Sequence, residues 1–284
     1  MAIKKAAVIG AGQMGGGIIQ VFATYGYDTV VWVRSDASEE KAKAKMEKYF
    51  NKQASKGKMS EEDAKAAIDR ISYVQDYAGL ADVDIVVEAA SENMDLKAEI
   101  FRALDENCKP ECILATNTSS LPITEIAAVT KRPEQVVGMH FMNPVPVMKL
   151  VEIIRGLETT DEVYQAIEDM SKDIGKVPVE VNDFPGFVSN RVLQVMINEA
   201  IFCFYEGVAE VEAIDTVMKL GMNHPMGPLE LADLIGLDTV LAILRVLYNG
   251  YADSKYRPCP LLVQYVAAQR FGRKNGRGFY DYSK

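Results

Sequence analysis

Only two histidines occur in the chain of 284 residues. One of them, His140, closes the apolar stretch QVVGMH and leads into Phe141-Met142-Asn143-Pro144. Further along, Glu152 stands inside KLVEII. A carboxylate among apolar neighbours needs a partner. An imidazole is the side chain that most readily exchanges a proton near neutral pH. The two together suit acid–base catalysis, with Glu152 fixing the ring's tautomer and His140 exchanging a proton with substrate. Spacing alone also allows a satisfied core histidine and an unrelated carboxylate. The other histidine, His224, falls in the turn HPMGP and reads as structural.

A second chemistry is written near the N-terminus. Gly10-Ala11-Gly12-Gln13-Met14-Gly15 follows the apolar run AAVIG and opens a helical pattern that runs to Tyr25. In such a fingerprint the first glycine makes the tight turn, the second lets the backbone approach a pyrophosphate, and the third lets helix and strand pack closely. The phosphates then meet the N–H groups and dipole of the helix N-terminus. A dinucleotide site is therefore expected, with Gln13 and Met14 inside it. About 20 residues on, an Asp or Glu usually holds the ribose. Here that slot reads Val33-Arg34-Ser35, with no acid and with a cation and a hydroxyl in its place. Such groups suit a 2′-phosphate, so NADP(H) is favoured and NAD(H) is the alternative. No metal site is expected.

Other polar residues are ambiguous taken alone. Asn117 and Ser119, in ATNTSS, follow a strand; the hydroxyls there can donate to a carbonyl oxygen or cap the helix beginning near Pro122. Asn190, in GFVSNR, begins a long helix and reads first as an interdomain hydrogen-bonding residue. Lys52, Lys56 and Lys58 lie in a Lys/Glu-rich segment and read first as solvated.

These residues need a frame. Strand-like runs at 6–10, 29–33, 71–74, 84–89, 112–116 and 135–140 alternate with helical segments. That order predicts an α/β fold: a Rossmann-type, doubly wound, mostly parallel sheet. Further strands are expected at 147–154 and 177–181. Residues 38–69 read as a charged helical hairpin projecting from the body. After Asn182-Asp183-Phe184-Pro185-Gly186 no clear strand remains, and helices are predicted at 186–207, 210–220, 228–247 and 260–270. The expected domains are 1–183, binding the dinucleotide, and 184–284, all-helical.

Bulk properties narrow the class. A net charge of −9 argues against a nucleic-acid partner. The four cysteines show no CxxC pair, which suits free thiols in a reducing, cytoplasmic setting. Neither a signal peptide nor a membrane span is expected.

The blocks VIGAGQMG, VVEAASE, ATNTSSLPITEIA, GMHFMNPVPVMKLVEII, PGFVSNR, MKLGMNHPMGPLELAD and GRGFYDYS, in this order, closely resemble the 3-hydroxyacyl-CoA dehydrogenase family over almost the whole chain. The resemblance implies reversible reduction of acetoacetyl-CoA to 3-hydroxybutyryl-CoA with a nicotinamide cofactor, in butanoate metabolism. A longer-chain β-oxidation substrate is the alternative. It assigns His140 as acid/base, Glu152 as its paired carboxylate, and Ser119 and Asn190 as substrate-oxygen and site-holding residues. Glu92, Lys97, Asn143 and Lys274 fall where relatives contact the cofactor, and Lys52 and Lys56 where relatives meet CoA phosphates. It further implies a homodimer through the helical domain. Related Rossmann dehydrogenases of small hydroxy acids predict a catalytic lysine instead. A non-catalytic cofactor sensor would not need the His/Glu/Ser/Asn set.

Overall fold

The computed structural model describes residues 3–283. The chain forms two compact units, Met1–Asp183 and Phe184–Lys284.

The first unit opens with β1 (Lys5–Ile9), α1 (Gln13–Thr24) and β2 (Asp28–Trp32). The helical hairpin α2 (Asp36–Ser55) and α3 (Glu61–Asp69) follows, then β3 (Ile71–Val74). Next come β4 (Ile85–Glu88), α4 (Met94–Asn107), β5 (Ile113–Thr116), α5 (Ile123–Ala127) and β6 (Val136–Phe141). The unit ends with β7 (Leu150–Arg155), α6 (Asp161–Asp173) and β8 (Val177–Asn182). All eight strands join one sheet in the order β3-β2-β1-β4-β5-β6-β7-β8. The chain reverses once, between β6 and β7, which pair antiparallel; every other pair is parallel. Strands β4, β5 and β6 are buried at every residue, as their unbroken apolar runs require of a sheet covered on both faces.

The hairpin does not project freely. Ala42, Met46 and Phe50 recur every fourth residue on α2 and are buried with Ala64 and Ala67 of α3 in the main core. That narrow apolar stripe is diluted by lysine and glutamate on the other faces, so composition overstated the segment's exposure. Ser35 and Ser60 cap the two helices, accepting from the backbone N–H of Ser38 and Asp63.

The second unit is helical: α7 (Ser189–Tyr205), α8 (Val211–Gly221), α9 (Pro228–Ile235), α10 (Leu237–Tyr251) and α11 (Pro260–Ala267). The single helix expected over 228–247 is two helices. Gly236 adopts φ +102°, a conformation that L side chains rarely adopt, and breaks the pattern there. Leu229, Leu237, Val240, Leu244 and Leu247 anchor a separate core with Ile197 and Ile201. Among the described residues, no helix is long and apolar enough to cross a membrane.

Candidate active site and cofactor cleft

The glycine loop lies where β1 hands over to α1. Gly10 has φ +92°, which forms the tight turn. A side chain on Gly15 would run into the Gly10 carbonyl, so this glycine sets the close approach of helix and strand. At Gly12 a side chain would meet nothing and would stand in open space. That space is the room a pyrophosphate needs above the first turn of α1, so the loop fits a dinucleotide. The loop borders a cleft of about 630 Å³, also lined by Trp32, Arg34, Ser38, Lys41 and Lys45.

Of Val33-Arg34-Ser35, only Arg34 is an exposed residue of the cleft. Val33 is 3% exposed and packs into the core, while still lining the cleft beside Arg34. Ser35 is the N-cap of α2, and Ser38, whose N–H it accepts, lines the cleft. Arg34 takes part in no ion pair among the described residues, while neighbouring Asp36 accepts a hydrogen bond from Gln75. Trp32 and Tyr77 stack at 5.1 Å on the same wall. One acid, Glu99, is also present.

His140 and Glu152 lie on the same sheet, on β6 and β7, three and four strands along from β1. In the antiparallel register of β6 and β7, His140 sits directly opposite Glu152. The Nδ1 of His140 is 2.8 Å from Oε2 of Glu152, and the residues are 7% and 2% exposed. A buried carboxylate against Nδ1 orients the ring and leaves Nε2 as the nitrogen able to exchange a proton with a bound molecule.

Ser119 is held by Glu92. One oxygen of Glu92 accepts from Ser119 N at 2.8 Å and from Thr118 Oγ1 at 2.6 Å. Burial pushes the Glu92 carboxyl up, but the Lys97 ammonium and these hydrogen bonds outweigh it and leave the group below the usual carboxylate range. Lys97 is 1% exposed, and its amine donates to both oxygens of buried Glu88 at 2.8 and 2.7 Å. Thr116 Oγ1 and Ala90 N also donate to Glu88. Sequence reasoning placed Lys97 at the cofactor and passed over Glu88, whose only signal was an acid at the end of the run DIVVE. Asn117 Oδ1 accepts from Phe141 N and ties the ends of β5 and β6 together. Asn143 Oδ1 accepts from Gln13 Nε2, tying the β6 turn to the glycine loop. The hydroxyls of ATNTSS do not cap α5; Asp183 does, accepting from the N–H groups of Ile123 and Thr124.

Lys52, Lys56 and Lys58 are exposed around the hairpin turn. In the helical unit Lys274 pairs with Asp238 at 2.8 Å and with the Thr239 hydroxyl. Asn190 is buried in the first turn of α7. All four cysteines are free thiols.

A Rossmann sheet carrying a dinucleotide cradle and a buried His–Glu pair defines a nicotinamide-dependent dehydrogenase. Residues 5–184 match the 3-hydroxyacyl-CoA dehydrogenase NAD-binding domain, and residues 186–282 match the C-terminal domain of the same family. The chain belongs to the 3-hydroxyacyl-CoA dehydrogenase family. It is 58% identical over 284 residues to the probable 3-hydroxybutyryl-CoA dehydrogenase of Bacillus subtilis, covering 100% of this chain and 99% of the relative. It is 51% identical over 280 residues to the 3-hydroxybutyryl-CoA dehydrogenase of Clostridioides difficile, covering 99% and 100%. The crystal structure of (S)-3-hydroxybutyryl-CoA dehydrogenase from Ralstonia eutropha superposes with a TM-score of 0.97 at 49% identity, covering 100% of both chains.

Proposed function

We propose that this enzyme interconverts acetoacetyl-CoA and 3-hydroxybutyryl-CoA. The observation that carries the reading is the buried contact of His140 with Glu152 at 2.8 Å, in a chain whose relatives of matching length bear that activity by name. When bound, the nicotinamide supplies hydride to C3 of the acyl chain or accepts it. His140 Nε2 donates a proton to the C3 oxygen in reduction and takes it back in oxidation. Glu152 holds the ring through Nδ1 and offsets the imidazolium charge. The Ser119 hydroxyl donates to Glu92 Oε1 at 3.2 Å in this structure, and it turns its one proton from Glu92 to the C3 oxygen when substrate binds. Asn190 is assigned to this task by its match in PGFVSNR alone.

We further propose NADPH over NADH, because the ribose-binding acid is absent at Val33 and Arg34, the next residue, lines the cleft with no salt-bridge partner among the described residues. A charged hydrogen bond contributes roughly 1.5–3 kcal/mol, or about 10- to 100-fold in preference. Lys52 and Lys56 are proposed to meet the CoA phosphates. A homodimer through the helical unit is proposed as well; α8 exposes Val217 and Leu220 there, 60% and 83% accessible, and sedimentation reads the assembly directly. A role in a cytoplasmic, butyrate-forming route is the setting this substrate suits.

The deciding assay is acetoacetyl-CoA reduction with NADPH and with NADH under matched conditions. Turnover with a preference for NADPH supports both readings. Turnover that is equal or better with NADH removes the role of Arg34 and leaves the reaction standing. Absence of turnover with either cofactor, in folded protein, removes the reaction.

A further inference from the structure

The glycine fingerprint does not stop at Gly15; Gly16 and Gly17 continue it. Gly17 makes room for Val145. Gly16 makes room for a cation: a Cβ there would overlap Nζ and Cε of Lys45. Lys45 reaches from α2 to the first turn of α1 and donates to the Gly12 carbonyl at 2.6 Å and the Ala11 carbonyl at 3.3 Å. The Gly12 carbonyl also accepts the N–H of Gly16 at 3.0 Å, so the amine sits on the hydrogen bond that starts α1. An ammonium has three donors, and these carbonyls engage two. No carboxylate pairs with Lys45 among the described residues, so its charge is not spent on an acid. Partial desolvation of its amine lowers its pKa although the residue as a whole is exposed. It lines the cofactor cleft together with Ser38 and Lys41. These positions, 38, 41 and 45, share one face of α2.

We propose that Lys45 is a positioning residue for the cofactor pyrophosphate, and that Gly16 admits its amine. Lys45 fixes the Ala11 and Gly12 peptide groups, leaving the N–H groups at the start of α1 for the phosphates. Its cation adds to the positive end of that helix. This deepens the dinucleotide reading and rests on it. It does not depend on NADPH preference, because the pyrophosphate is common to both cofactors.

The test titrates NADH and NADPH separately, at two ionic strengths, into wild type, Lys45→Met, Lys45→Gln, Gly16→Ala and the Gly16→Ala/Lys45→Met double variant. Thermal unfolding confirms that each variant is folded. Lys45→Met should weaken both cofactors by the same factor, about three- to tenfold, the range for a partly exposed helix-terminal charge. Its affinity should depend less on salt than that of wild type. Lys45→Gln keeps donors but no charge and should lose salt dependence equally. Gly16→Ala, whose methyl displaces only the flexible tip of Lys45, should weaken both cofactors alike and by a smaller factor than Lys45→Met, and the double variant should be no worse than Lys45→Met. Unchanged affinities, multiplicative losses, a wild-type salt slope in both Lys45 variants, or a loss confined to NADPH would overturn the proposal. Arg34→Ala, run alongside, should weaken NADPH alone; if it does not, the NADPH preference fails while the Lys45 result stands by itself.

Discussion

His140 and Glu152 are cross-strand neighbours in the one antiparallel pairing that the described residues make in the eight-stranded sheet, with Nδ1 2.8 Å from Oε2. Reversing the chain after β6 puts a carboxylate directly opposite the histidine at the carboxyl end of that strand. His140→Gln or Glu152→Gln should each lower turnover of acetoacetyl-CoA by about 100-fold or more, the scale of lost acid–base catalysis. The double variant should be little worse than the worse single, because residues acting as a unit are non-additive. Steady-state kinetics across the four proteins measures the coupling; independent losses would break the pairing.

Val33 and Arg34 both line the cofactor cleft, and Val33→Asp with Arg34→Ile should reverse the preference toward NADH. Arg34→Asp should lower kcat/KM with NADPH by about 10- to 100-fold through loss of a charged hydrogen bond and repulsion of the 2′-phosphate. The change with NADH should be small or favourable. The ratio of the two kcat/KM values is the measurement.

Lys52 and Lys56 stand exposed beside the hairpin turn, on a helix whose other face is buried. Changing both to Glu should raise KM for acetoacetyl-CoA and leave activity on a truncated thioester lacking the nucleotide nearly unchanged. An equal loss on both substrates would indicate a general defect rather than a phosphate contact.

Lys97 and Glu88 are almost wholly buried, 1% and 0% exposed, so removing one partner strands a charge. Lys97→Met should cost roughly 3–5 kcal/mol of stability. Lys97→Met combined with Glu88→Gln should recover much of that. Chemical denaturation of wild type and the two variants checks this ordering.

Glu92 gives a signed pH dependence. Its folded carboxyl lies below its ordinary value of 4.5, because the Lys97 charge and the Thr118 and Ser119 hydrogen bonds overcome the cost of burial. The stabilisation is therefore complete above about pH 5 and is lost as pH falls through the lowered folded value. Glu92→Gln should be less stable than wild type near neutrality. The gap in denaturation midpoint should close on the acid side; a gap that widens toward acid would contradict this sign.

The sequence by itself determined whatever depends on neighbours along the chain. Gly10, Gly12 and Gly15 are a local device, since turn, cradle and close packing all arise within six residues. The strand-helix alternation was legible for the same reason, down to the reversal of composition near Asp183. Lys52 and Lys56 could be seen but not weighed, because exposure of a lysine carries no sequence signal. Only tertiary structure decided which distant groups meet. The contact of His140 with Glu152 depends on a strand register that spacing leaves open. The narrow apolar stripe of Ala42, Met46 and Phe50 drew the charged hairpin onto the body, and with it Ser38, Lys41 and Lys45 onto the cofactor cleft. Lys97, placed at the cofactor by resemblance, pairs in the fold with Glu88 and with Glu92. Such pairings follow from packing of elements far apart in the chain, where burial requires each charge to find a partner.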